Sequence, residues 1–291
     1  MNPERWLVVT VDLESRDLRD LAAAELIALG GSSVVEQPGS ITTYLPPPGD
    51  PTALIGAARE RLAAVLPAGT DLRLSWEWQD NEDWAREWKN GLQPRQITDR
   101  IVVKPTWTEW DRSSGEIVID IDPQMAFGTG EHATTRGCLR LLDGAVRAGD
   151  RVLDVGSGSG ILAIAAVRLG AAEAVAVEYD PDANINAREN FERNGVDGRV
   201  RLVEALADDA LLAELGAFDL VLANILSGVI RPLLPALHRS LGASPEGRLI
   251  VSGILRDESP DVVRDAVAAG FRVERVDEEE EWWSALLRPA G

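Results

Sequence analysis

The chain has 291 residues, 45% of them apolar and 26% charged, and carries a formal net charge of −19. That balance offers no basic surplus to displace counterions from nucleic acid, so direct nucleic-acid binding is not expected, whereas a basic protein partner would be drawn to it. One cysteine, Cys138, excludes an intrachain disulfide and a cysteine-based metal cluster; with no apolar run near the roughly 20 residues that span a bilayer and no signal-peptide layout at Met1–Arg5, a cytoplasmic location is expected.

The first 79 residues alternate strand and helix signals. Trp6 to Asp12 reads as a strand, and Asp17 to Leu29 as a helix with Leu18, Leu21, Ala22 and Leu26 at helical spacing, stopped by Gly30-Gly31. Short strands follow at Ser33–Glu36 and Ser40–Leu45 around Pro38-Gly39. A helix from an N-cap at Thr52 to about Leu66 and a strand from Asp71 to Trp78 complete a βαββαβ order, the ferredoxin-like pattern. Residues 80–100 are expected to form a linker, with one helix over Asn81–Gln93 that sets Trp84 and Trp88 on the same face.

From 101 to 291 the pattern predicts the catalytic or ligand-binding domain. Strands at Arg100–Lys104 and Glu116–Ile121 lead into FGTGEHATT (127–135), and a helix starts near Thr134. Then strand and helix alternate strictly. RVLDV (151–155), AVAVEY (174–179), VRLVEA (200–205), FDLVLA (218–223) and RLIVSG (248–253) are separated by helical segments, which indicates a parallel sheet covered on both faces. Phe271–Val276 and Trp282–Leu287 have only an acidic turn between them and must form an antiparallel hairpin at the sheet edge. The run Asp277–Glu281 is expected to be a solvated turn.

VLDVGSGSG (152–160) sits where the first strand of that sheet turns into a helix, the place where such folds bind ligands. A dinucleotide fingerprint requires a glycine at position 161, but Ile161 stands there and the third glycine comes one place early. Asp154 would also repel a pyrophosphate and suits a ligand with positive charge. S-adenosylmethionine, with its sulfonium and ammonium and no phosphate, meets both conditions. Gly156, Gly158 and Gly160 would let it approach the backbone, and Glu178, 22 residues after Gly156, would accept its ribose hydroxyls. A purely structural turn beside a surface acid is the competing reading; it is disfavoured because strand, loop, helix, strand and acid fall in order.

Asn224 ends the fourth parallel strand. Its neutral amide could orient an attacking amine without holding it as ammonium, which suits nitrogen methylation; capping of the next helix remains the alternative. Cys138 and His238 read as ordinary structural residues. FGTGEHATT lacks a phosphate-loop lysine, and His132 has no nucleophile or metal-ligand set beside it. The segment reads as a lid that folds over the donor and sets Thr135 against it.

These pieces together resemble the PrmA family, the methyltransferases of large-subunit ribosomal protein L-eleven. The resemblance rests on DWAREWKNGLQP (83–94), IDPQMAFGTGEHATT (121–135), VLDVGSGSGILAIAAVRLGA (152–171), VEYDPDANINARENFERNGV (177–196), FDLVLANIL (218–226), SGIL (252–255) and EEEW (279–282). It implies a class I S-adenosylmethionine-dependent methyltransferase, a Rossmann-like α/β fold preceded by a small substrate-capturing domain. It further implies donor contacts at Thr135, Gly156 and Glu178, with glutamate where the family usually has aspartate, and sets Asn224, catalytic and also against the donor, beside the methyl acceptor. The targets implied are lysine side chains and the N-terminal amine of that ribosomal protein. Lysines of a non-ribosomal protein are the alternative target, and a monomer is expected. A silent binding module and a nucleic-acid methylase fit less well, the first because the ligand residues are all present and the second because of the charge.

Overall fold

A computed structural model describes residues 5–290 apart from 14, 32–33, 38, 68, 71, 81–91, 123–129 and 243–245. The helix expected at Asn81–Gln93, with its tryptophan pair, and the first part of FGTGEHATT fall largely outside the described residues. The chain divides into two compact units, Met1–Gly91 and Leu92–Gly291.

The first unit runs β1 (Arg5–Asp12), α1 (Arg16–Ala28), β2 (Val34–Gln37), β3 (Ser40–Leu45), α2 (Pro51–Val65) and β4 (Arg73–Asp80). Its strands form one antiparallel sheet in the order β2-β3-β1-β4. Alternation explains the packing. Leu7, Val9 and Val11 of β1 point to one face, where they meet Ile41 and Leu45 of β3, Leu26 of α1, and Ile55 and Leu62 of α2. The helix cap differs from the expected Thr52. Asp50 accepts the Thr52 and Ala53 amides at 2.9 and 3.1 Å, and Pro51 takes the first helical position, where its missing N–H costs nothing.

The second unit contains two sheets. Residues 92–100, expected as linker, belong to it: β5 (Arg95–Gln96) pairs antiparallel with β6 (Ile101–Pro105). β6 runs parallel to β7 (Ile117–Ile121), and Lys104 and Asp120 form an ion pair between the two strands.

The larger sheet holds β8 (Arg151–Val155), β9 (Glu173–Glu178), β10 (Val200–Glu204), β11 (Leu220–Asn224), β12 (Arg248–Leu255), β13 (Phe271–Glu279) and β14 (Trp282–Pro289). Its order is β10-β9-β8-β11-β12-β14-β13, parallel through β12 and closed by the antiparallel hairpin. Alternate residues of each strand feed two cores. Val152, Ala174, Leu222 and Ile250 pack under α3 (Ala133–Ala145), α4 (Ile161–Leu169) and α5 (Pro181–Arg193), together with β6 and β7. Leu153, Val175, Val221 and Val251 pack under α6 (Asp209–Leu215), α7 (Ser227–Ser240) and α8 (Ser259–Ala268).

Two local features bear on how the site is held. Asn186 and Asn190 on α5, with Asn194 at its C-cap, hydrogen-bond the main chain of Asp120 and Asp122 at 2.7–3.0 Å, so side-chain amides satisfy the end of β7. The acidic run is also not simply a solvated turn. Asp277 and Glu279 lie on β13 and accept hydrogen bonds from Arg140 at 2.6–2.8 Å, and Arg136 Nε reaches Glu279 at 2.9 Å. Glu280, with φ of 55°, forms the turn. The reason is register: alternate acids of the strand meet two arginines one turn apart on α3.

Candidate active site

The carboxyl ends of β8, β9 and β11 surround one cavity of about 570 Å³, in the size range of small-molecule sites. The loop from β8 to α4 forms its floor. Gly156 has φ of 71°, and a Cβ there would collide with the Ile225 side chain. Gly160 caps α4, also in the left-handed region, where a Cβ would strike the Phe191 ring. The glycines at both positions are therefore required by backbone conformation and by protein neighbours. Gly156 and Gly158 line the cavity, and Gly160 does not.

Glu178 lines the cavity and is 7% exposed. Its carboxylate accepts Gly158 N–H at 3.0 Å, Tyr179 N–H at 2.9 Å and Asp180 N–H at 3.0 Å. The arm that is one methylene longer than aspartate reaches back to the glycine loop and locks it to the end of β9. Ser157 adds a hydroxyl that is buried, lines the same wall and has no hydrogen-bond partner among the described residues.

Asp154 is not a wall residue. It is buried behind the loop, with one oxygen accepting Ala163 N–H at 3.1 Å and the other without a partner among the described residues. Loss of solvent, reinforced by the nearby Glu178, raises its pKa to about 7 despite the Ala163 bond. Its position ties β8 to α4, and direct contact with a ligand's positive charge does not follow from it.

His132 caps α3, with Nδ1 2.7 Å from the Thr134 hydroxyl, and its ring meets Trp282 edge-on at 4.8 Å between centroids. His132, Thr134 and Trp282 all line the cavity. Thr135 is fully buried beneath this wall, and its hydroxyl receives a long 3.5 Å bond from Asn224 Nδ2. Adjacent residues on a helix point about 100° apart, so the first threonine of the pair faces the cavity and the second supports Asn224. Asn224 itself lines the cavity, and its Oδ1 is buried with no partner among the described residues.

A model of the ribosomal protein L11 methyltransferase (PrmA) family matches residues 11–289. The chain belongs to this family. A ribosomal protein L11 methyltransferase of Pelotomaculum thermopropionicum is 44% identical over 245 residues, covering 84% of this chain and 78% of the relative. Another so named, from Symbiobacterium thermophilum, is 45% identical over 226 residues, covering 78% and 70%. The crystal structure of a ribosomal protein L11 methylase from Lactobacillus delbrueckii subsp. bulgaricus aligns with a TM-score of 0.62 at 28% identity, over 68% of this chain and all of that one.

Of the residues expected from sequence, the structure brings Gly156, Gly158, Glu178 and Asn224 to one cavity wall and sets Thr135, Asp154 and Gly160 behind it. Among the wall residues to which the sequence assigns no role are Thr134, Ser157 and Trp282. Trp282 belongs to the EEEW motif, yet only the hairpin's return brings it beside His132. The orphaned Ser157 and Asn224 oxygens are what a ligand with hydrogen-bond donors would complete, so the cavity fits such a group. No helix among the described residues is long and apolar enough to cross a membrane.

Proposed function

We propose that the chain is a protein N-methyltransferase. It uses S-adenosylmethionine to methylate lysine side chains and the N-terminal amine of ribosomal protein L11. The observation that carries this reading is the unpartnered Asn224 Oδ1, set in the same cavity as the glycine loop and Glu178.

When bound, S-adenosylmethionine supplies an electrophilic methyl group on a sulfonium. Glu178 would take the ribose hydroxyls, and Ser157 with the Gly156–Gly158 backbone would hold the amino-acid end. Asn224 Oδ1 would accept a hydrogen bond from the attacking amine and turn its lone pair toward the methyl group. A lysine ammonium, with an ordinary pKa near 10.4, must first lose a proton. The apolar wall of Ile225, Leu226 and Val229 favours that loss by disfavouring the charged form. Glu178 is the sole carboxylate lining the cavity among the described residues, so no acid on the acceptor side would hold the ammonium. Positioning of two reactants supplies most of the acceleration.

In this reading the first unit, ferredoxin-like in its element order, captures the substrate, and the enzyme works as a cytoplasmic monomer without binding nucleic acid. Incubating the purified protein with label-bearing donor and total ribosomal proteins should give label in L11 alone. Label in RNA, or in other proteins with L11 unlabelled, would refute the assignment. In the same assay Asn224→Ala should lower kcat by about 10–100-fold, the cost of an unmet buried hydrogen bond, with donor affinity nearly unchanged. Weakened donor binding with normal kcat at saturation would remove Asn224 from the amine site.

A further inference from the structure

Seven large apolar side chains of the second unit are strongly exposed among the described residues. Four of them, Tyr179, Leu206, Leu226 and Val229, line the same cavity. Single exposed apolar residues need no explanation, but a cluster at a cavity mouth marks a surface that something covers.

The four separate into two sides. Tyr179 follows Glu178, and Leu206 lies just past β10, both on the side of the ribose acid. Leu226 is the N-cap of α7 and Val229 lies in its first turn, two and five residues beyond Asn224. With Leu233 they fall at i, i+3 and i+7, the spacing of one helix face, and all three line the cavity. The stripe grades inward: Leu226 is 70% exposed and Val229 45%, whereas Leu233 packs against the core. It starts two residues past Asn224, whose amide oxygen has no partner among the described residues.

An occupant that suits this stripe has an apolar stem and ends in an N–H donor. Lysine has that form: four methylenes and an amine tip. Arginine shares the long stem, but its guanidinium stays protonated and offers no lone pair for methyl transfer. A backbone α-amine offers the lone pair and lacks the stem.

We propose that Leu226 and Val229 form a sleeve for the methylene stem of the substrate lysine. The first turn of α7 thereby becomes the element that favours a long-stemmed ε-amine over an α-amine. This rests on Asn224 being the amine site of the proposed methyltransferase. The sleeve lowers the free energy of the bound lysine and contributes nothing to an α-amine at the same position.

The test uses the full chain with ribosomal protein L11 as substrate, counting ε- and α-methylation separately by peptide mass spectrometry. For Leu226→Ala, the ratio of ε- to α-methylation at limiting substrate should fall about five- to tenfold, as expected for losing contact with one to two methylenes. Val229→Ala should shift it the same way, and Leu226→Met should restore it by returning apolar volume. A ratio unchanged in both alanine variants, or equal losses at both amines, overturns the sleeve. Calorimetric titration with S-adenosylmethionine supplies an independent readout: a clear rise in donor Kd in Leu226→Ala would place the leucine over the donor and overturn the proposal. No methylation of L11 by the wild-type chain would overturn the underlying function as well, which separates the two failures.

Discussion

Asp154 is a carboxyl group held where solvent cannot reach it. In the unfolded chain it ionises near pH 4, whereas burial keeps its proton on in the folded protein until about pH 7. Between those values the folded state binds more protons than the unfolded one, so stability falls as pH rises through the window. The loss is complete above pH 7 and amounts to at most about 4 kcal/mol. Asp154→Asn removes the titration while keeping an acceptor for Ala163 N–H. Thermal unfolding should show the variant gaining on the wild type as pH increases from about 5 to 8. A difference that stays flat with pH would mean that Asp154 is ionised throughout. At this scale the sequence told residue types apart better than their directions. It marked Asp154 and Thr135 as members of the site, but whether a side chain faces a cavity or backs its wall depends on helix phase and on what lies behind. It also read Glu178 as a ribose acid and could not show that the extra methylene lets the carboxylate grip Gly158.

The turn that presents Asn224 depends on glycine at a second place. β12 has a register shift between Val251 and Ile254, and within it Gly253 has φ of 80°. A Cβ there would sit 2.5 Å from the Ile225 carbonyl oxygen and 2.8 Å from its carbon, and backbone atoms cannot swing aside as a side chain can. Gly253→Ala is therefore expected to destabilise the protein by about 2 kcal/mol or more, and to push the Asn224–Ile225 turn out of place. Methyl transfer should fall further than donor affinity, as kinetics beside calorimetry would reveal; equal losses would mean that the bulge serves stability alone. Most elements of the second unit were legible because buried parallel strands and amphipathic helices carry strong periodic signals. The parallel pairing of β6 with β7 was not, since their connection contains no helix and strand partners leave no local trace. The pairing of Asp277 and Glu279 with Arg140 and Arg136 was hidden for the same reason: it joins residues far apart in sequence.

Each unit has a core of its own. Leu7, Val9, Leu26 and Leu62 belong to the first, and the two layers around the seven-stranded sheet draw only on residues after 92. Residues 92–291 expressed alone should then fold and bind the methyl donor within about threefold of the whole chain, since single cores fold as units. They should lose tenfold or more in kcat/KM on ribosomal protein L11 if the first unit captures the substrate. Unimpaired turnover by the fragment would show that capture lies elsewhere. Hydrophobic period and glycine-proline punctuation change between the two parts of the chain, which is the trace that a division leaves in sequence; the sequence puts a linker over 80–100, whereas Leu92 opens the second compact unit, because β5 gives only two residues of signal.

The position of β14 has a consequence in time. It lies between β12 and β13, inside the sheet, and it carries Trp282 to His132. On the ribosome, α3 and the glycine loop emerge long before the strand that completes their wall. Until β14 is made, β12 has an open edge and the cavity lacks one side. The cavity wall is therefore finished late, by a strand made well after the helix and loop that it closes.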